Sequence, residues 1–115
     1  MWLFTSIGFF SIVRKPSDAG AGTLTVRARV RSDLEALRSR FLPDLGPIVE
    51  GAGTDYRYRA VAPLHSVAAA MQALVAATDY DNFKSEVAHT QGHARAQAYS
   101  RVWGELQHLD DGGRD

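Results

Sequence analysis

The sequence predicts one α+β domain: an antiparallel sheet with helices on one face and a further helix at the C-terminus. Three observations predict it. The 115 residues amount to one domain of ordinary size. The apolar share of 45% and charged share of 23% are those of a folded chain. Segments with a period of two alternate with segments of helical period, in the order β-β-α-β-β-α-α. The domain is expected over residues 1–109, with 110–115 a frayed tail.

The first element is the apolar run Met1–Val13, MWLFTSIGFFSIV. It is shorter than the roughly 20 residues of a membrane span. Arg14 and Lys15 follow it, whereas a secretory signal carries its positive charge in front. Its aromatic and β-branched content suits one strand over Trp2–Val13. The expectation is a cytoplasmic protein with no membrane partner. Lys15–Gly22 reads as a loop, with Pro16, Ser17, Asp18, Gly20 and Gly22 as turn formers. Thr23–Val30 is the second strand. Leu24, Val26, Ala28 and Val30 share one face; Thr23, Thr25, Arg27 and Arg29 share the other.

Ser32-Asp33-Leu34-Glu35 has the form of a capping box, which opens a helix with Leu34, Leu37 and Phe41 on its apolar stripe. Pro43 stops it. Pro47–Gly53 suggests a short strand and Asp55–Ala62 a stronger one, with Gly51, Gly53 and Asp55 between them. Pro63 suits the first turn of the next helix, whose apolar face is Leu64, Val67, Met71, Leu74 and Val75. Asp79 or Asp81 is expected to cap a last helix over Asn82–Leu109. Gly92 inside it weakens it by about 1 kcal/mol relative to alanine and is the expected place of a bend.

The β-α-β-β-α of residues 23–78 is most of a ferredoxin-like split βαβ unit, and it lacks that unit's final strand. The first strand, antiparallel beside the second, is expected to take the missing place, as in a permuted relative.

Composition excludes several functions. Thirteen basic and thirteen acidic side chains cancel, which excludes a blanket polyanion binder. With no cysteine there is no disulfide frame, thiolate metal site or cysteine nucleophile. The cancellation hides an asymmetry. Residues 1–62 carry nine Lys/Arg against six Asp/Glu, and residues 63–115 carry four against seven.

Several strings carry a resemblance: Met1-Trp2-Leu3-Phe4-Thr5, Gly8-Phe9-Phe10-Ser11, Gly53-Thr54-Asp55-Tyr56, Asp79-Tyr80-Asp81-Asn82-Phe83-Lys84 and Gln91-Gly92-His93. Together they resemble a family of small, uncharacterised bacterial proteins that opens with such a Met-Trp-Leu-Phe-Thr strand. The resemblance implies no activity.

Three constellations bear on function. The first is a basic and aromatic sheet face. Arg27 and Arg29 share a face of one strand, Arg57 and Arg59 a face of another, and a straight first strand adds Trp2, Phe4 and Phe10. Guanidinium forks and aromatic rings together suit phosphates and stacked bases. The competing reading is that a helix or a second copy of the chain covers this face. The second is the polar segment Tyr80, Asn82, Lys84, Gln91 and His93, a candidate pocket for a small anion. It competes with an ordinary capped helix start. A helix unbroken from Lys84 to His93 separates them by about 13 Å, so one shared ligand requires a break at Gln91-Gly92. The third is His89-x-x-x-His93, where Thr90 replaces the glutamate of a zinc hydrolase motif, so no metal site is assigned.

No nucleophile elbow or phosphate loop is present. The expectation is a non-enzymatic binding or protein-interaction module without a cofactor, self-associating as a homodimer through Trp2, Phe4 and Phe10. The alternative is an anion or nucleic-acid binder through Arg27, Arg29, Arg57 and Arg59. A small-substrate enzyme using Lys84 and His93 comes third.

Overall fold

The computed structural model describes residues 1–51 and 55–111. They fall into two compact units, Met1–Asp79 and the residues from Tyr80 onward.

In the first unit, strands β1 (Trp2–Thr5) and β2 (Gly8–Val13) form a hairpin in place of one long strand. Thr5 closes it: its hydroxyl oxygen accepts from the Ile7 and Gly8 amides at 3.2 and 3.1 Å and donates to the Gly8 carbonyl at 2.7 Å. The two-residue loop pairs Leu3 with Phe10 and Phe4 with Phe9. Residues paired across a ladder point to the same face, and these pairs join odd positions to even ones. The alternation therefore inverts at the turn. Phe10 and Ile12 join Leu3 in the core, and Phe9 joins Trp2 and Phe4 outside. Phe10, expected on the outer face, is fully buried. Gly8 is fixed by close approach: a Cβ there would lie 2.6 Å from Asp33 Cγ.

A four-residue helix α1 (Pro16–Ala19) occupies the expected loop and leads to β3 (Thr23–Ala28). Helix α2 (Arg31–Arg40) starts at an N-cap of Val30, which makes no side-chain cap bond. Ser32 is thus already inside the helix, and the capping box does not form. Asp33 accepts from the Phe9 amide at 3.1 Å, and Glu35 forms an exposed ion pair with Arg31. Past the helix, Arg38 ties down the descending chain by donating to the Leu45 and Gly46 carbonyls.

Strands β4 (Val49–Glu50) and β5 (Tyr58–Pro63) follow, both shorter than expected, and the intervening turn lies partly outside the described residues. Pro63 ends β5 and caps helix α3 (Leu64–Ala76) from outside its first turn. Val67 and Ala70 of α3 are buried, Met71 and Leu74 pack beside them, and Leu64 and Val75 are exposed.

The sheet is antiparallel throughout, in the order β1-β2-β3-β5-β4. One apolar cluster joins Phe10, Ile12, Val26, Ala28, Ala60 and Ala62 of the strands to Leu34 and Leu37 of α2 and Val67 and Ala70 of α3. Both helices therefore lie on the same face. The fold is α+β, and the order β2-β3-β5-β4 is compatible with a ferredoxin-like sheet in which β2 stands where the final strand would.

In the second unit, α4 (Phe83–Gln91) and α5 (His93–Leu106) pack against each other and meet at Gly92, whose φ of 95° ends one helix and begins the next. Only glycine adopts that conformation without a steric cost. The cap of α4 is Asn82, whose side-chain Oδ1 accepts from the Ser85 amide at 2.9 Å; neither Asp79 nor Asp81 fills that role. Phe83 stacks on Tyr99 at 6.0 Å. Helix α5 stops three residues short of Leu109. No described helix is long and apolar enough to cross a membrane.

Candidate functional site

The outer face of the sheet, opposite α2 and α3, is built from alternate residues of four strands. On the hairpin, Phe4 and Phe9 stack at 4.5 Å with 22° between their planes. Trp2 meets Phe9 edge-on at 5.7 Å and Phe4 at 6.4 Å, while remaining 63% exposed. Tyr56, which precedes β5, continues the row 6.3 Å from Phe9. Its ring carries two guanidinium groups, Arg27 at 4.5 Å and Arg29 at 5.0 Å from the centroid. A cation over a ring face is held there by the ring's quadrupole.

Beyond Tyr56 the face turns cationic. Arg27 of β3 lies directly opposite Arg59 of β5 in the ladder. Nη2 of Arg27 donates to Ser11 Oγ at 2.7 Å, and Nη2 of Arg59 donates to the Tyr56 carbonyl at 3.4 Å. Nε of each is shielded from water and has no hydrogen-bond acceptor. Among the described residues, neither guanidinium has a carboxylate partner. Arg57 differs. Its Nε and Nη2 both reach Glu50 Oε2, at 2.8 and 2.7 Å, and the hydrogen bond and charge of Glu50 raise its pKa. Of the four arginines singled out in the sequence, Arg27, Arg29 and Arg59 converge around Tyr56, and Arg57 is engaged by Glu50.

At the other end of β3 the same face is closed over a buried carboxylate. Asp18 of α1 accepts from Thr23 Oγ1 at 2.6 Å, Thr25 Oγ1 at 2.8 Å and the Lys15 amide at 2.8 Å. These bonds, the Thr23 hydroxyl foremost, hold its carboxyl below the ordinary carboxylate value against the opposing effect of burial.

The second candidate lies wholly within the α4–α5 unit. The break at Gly92 brings His93 to the same recess as Asn82 and Lys84, with Ser85, Ala88, Ala96 and Gln97 completing a lining of about 410 Å³. Tyr80 and Gln91, expected in this pocket, do not line it. Tyr80 instead packs its ring 6.2 Å from Phe83. Gly92 also interrupts the helix between His89 and His93, and no three acidic or histidine groups among the described residues converge on a metal position.

Phe9 and Tyr56 are the site residues that sequence reasoning missed. Phe9 needed the turn, whose signal is Thr5 followed three residues later by glycine. Tyr56 needed the true start of β5: from Tyr58 onward the strand's alternation holds, and Tyr56 lies outside it. No family model matches the sequence, and no curated protein or solved structure matches it.

Proposed function

We propose that this protein is a non-enzymatic binding module that works through the outer face of its sheet, and that its partner there is a second copy of the chain. The observation that carries this reading is the composition of the face. Trp2, Phe4 and Phe9 stand beside Arg27, Arg29 and Arg59, two of which lie over the buried Tyr56 ring, with Val61 exposed on the same side of β5. Aromatic residues and arginine are the types enriched in protein interfaces, and they dominate binding energy where it is measured. Two-fold pairing of one such patch with itself is the commonest closed assembly. Trp2 supports the reading further, because a tryptophan left largely in water beside two other rings keeps much of its apolar area available.

Sedimentation equilibrium over a dilution series tests it. The wild-type chain should sediment as a dimer that dissociates on dilution. Trp2→Ala combined with Phe4→Ala should shift it to monomer while the circular dichroism spectrum is kept. A strict monomer at every concentration overturns the reading.

A further inference from the structure

We propose that the recess between α4 and α5 is a binding site for a small monocarboxylate with an apolar body. It shares no residue with the outer face of the sheet, so it is a second working surface, independent of self-association.

The break at Gly92 makes the recess. With a φ of 95° the chain turns from α4 into α5 and sets His93, the first residue of α5, in one lining with Lys84 and Ser85 from the start of α4. The space of about 410 Å³ falls within the ~300–1,000 Å³ of small-molecule sites. Ala88 of α4 and Ala96 of α5 give it an apolar lining, and Ala96 is buried. Methyl groups at these two positions leave room that longer side chains would fill. Around them stand Asn82, Lys84, Ser85, His93 and Gln97, all exposed. Their polar atoms reach a ligand without first being uncovered. Among the described residues, the side chains of Lys84, Ser85, His93 and Gln97 make no hydrogen bond or ion pair. Asn82 has committed Oδ1 to the Ser85 amide, and what it has left to offer is the pair of Nδ2 donors.

Charge selects the ligand. The described residues of this unit carry the carboxylates of Asp81, Glu86, Glu105, Asp110 and Asp111 against the cations Lys84, Arg95 and Arg101. None of those carboxylates lines the recess, and Lys84 does. The lining thus reverses the sign of the acidic unit around it. One ammonium matches one negative charge. A phosphomonoester, at about −1.5 to −2 near neutral pH, brings more than the lining compensates. A carboxylate carries one charge and accepts from an ammonium and a neutral donor together. Ala88 and Ala96 have no polar side-chain atom to satisfy a second charged group, so the rest of the ligand is apolar.

Titration with benzoate at constant ionic strength, followed through backbone amide signals by heteronuclear NMR, tests the site. Saturable shifts are expected at Lys84, Ser85, Ala88, His93 and Gln97. Lys84→Gln, an exposed change that keeps the fold, should weaken benzoate about tenfold. Benzamide, which keeps the ring and loses the charge, should bind about tenfold more weakly, as should acetate, which keeps the charge and loses the ring. Absence of saturation, shifts that centre outside the recess, or unchanged affinity in Lys84→Gln overturns the proposal. So does benzamide or acetate bound as tightly as benzoate, or inorganic phosphate bound more tightly. Failure here is separable from failure of self-association. Trp2→Ala combined with Phe4→Ala should bind benzoate with unchanged affinity, and a strict monomer that binds benzoate at the recess fails only the association.

Discussion

The two ends of strand β3 present the same face of the same sheet and treat charge in opposite ways. At Thr23 and Thr25, one buried carboxylate, Asp18, receives two hydroxyls and a backbone amide. Two residues further on, Arg27 stands opposite another arginine with a donor left over. A buried charge whose partners all come from its own fold is structural. A half-buried charge with a donor left unsatisfied costs stability. The comparison separates a carboxylate that the fold satisfies in full from an arginine pair that it satisfies only in part.

Substitutions at four positions break or sharpen that comparison. Asp18→Ala should have the largest effect, a loss of about 3 kcal/mol in urea unfolding, because it leaves two hydroxyls and an amide without their acceptor. Its pH dependence follows from the lowered pKa. The carboxylate's contribution is fully present above the ordinary value of 3.8 and is lost as the pH falls through the lower folded value. The stabilities of wild type and Asp18→Asn should therefore converge in acid.

Gly8→Ala should come next, at about 2 kcal/mol, since the new methyl group must displace the Asp33 side chain that binds the Phe9 amide. Asn82→Ala should cost about 1 kcal/mol of local helix stability, read as faster amide exchange in the first turn of α4. Arg59→Leu should be the smallest and differ in sign. Thermal unfolding should show it equal to wild type or more stable by up to about 0.5 kcal/mol. A loss comparable to that of Asp18→Ala would make the arginine pair structural and erase the contrast.

The features legible in the sequence were those written locally. The alternation of Thr23–Ala28 placed Arg27 and the two threonines on the outer face, and the order of strand and helix periods placed the first segment beside that strand, though as one strand where the sheet has two. Gly92 marked the break between α4 and α5, which brought Lys84 and His93 to one recess. What was not legible depended on partners far away in the chain. Phe10 was misplaced because a two-residue turn inverts the alternation, and alternation alone does not show where a strand folds back. Ser32 matched a capping pattern that lost to a start two residues earlier, at a Val30 cap, with Asp33 drawn to the Phe9 amide of another strand. Asp18 read as a turn former, and only the threonines brought beside it by the sheet make it a buried anchor.

The short strand β4 has a consequence for assembly. The sheet ends in β1 on one side and in β4 on the other, and β4 is two residues long with the charged Glu50 in it. A brief, charged edge is a poor template for another strand. Strand β1, at four residues, is the longer of the two edges and carries no charged residue, so the protection against edge-to-edge pairing that β4 has is lacking at the other side of the sheet.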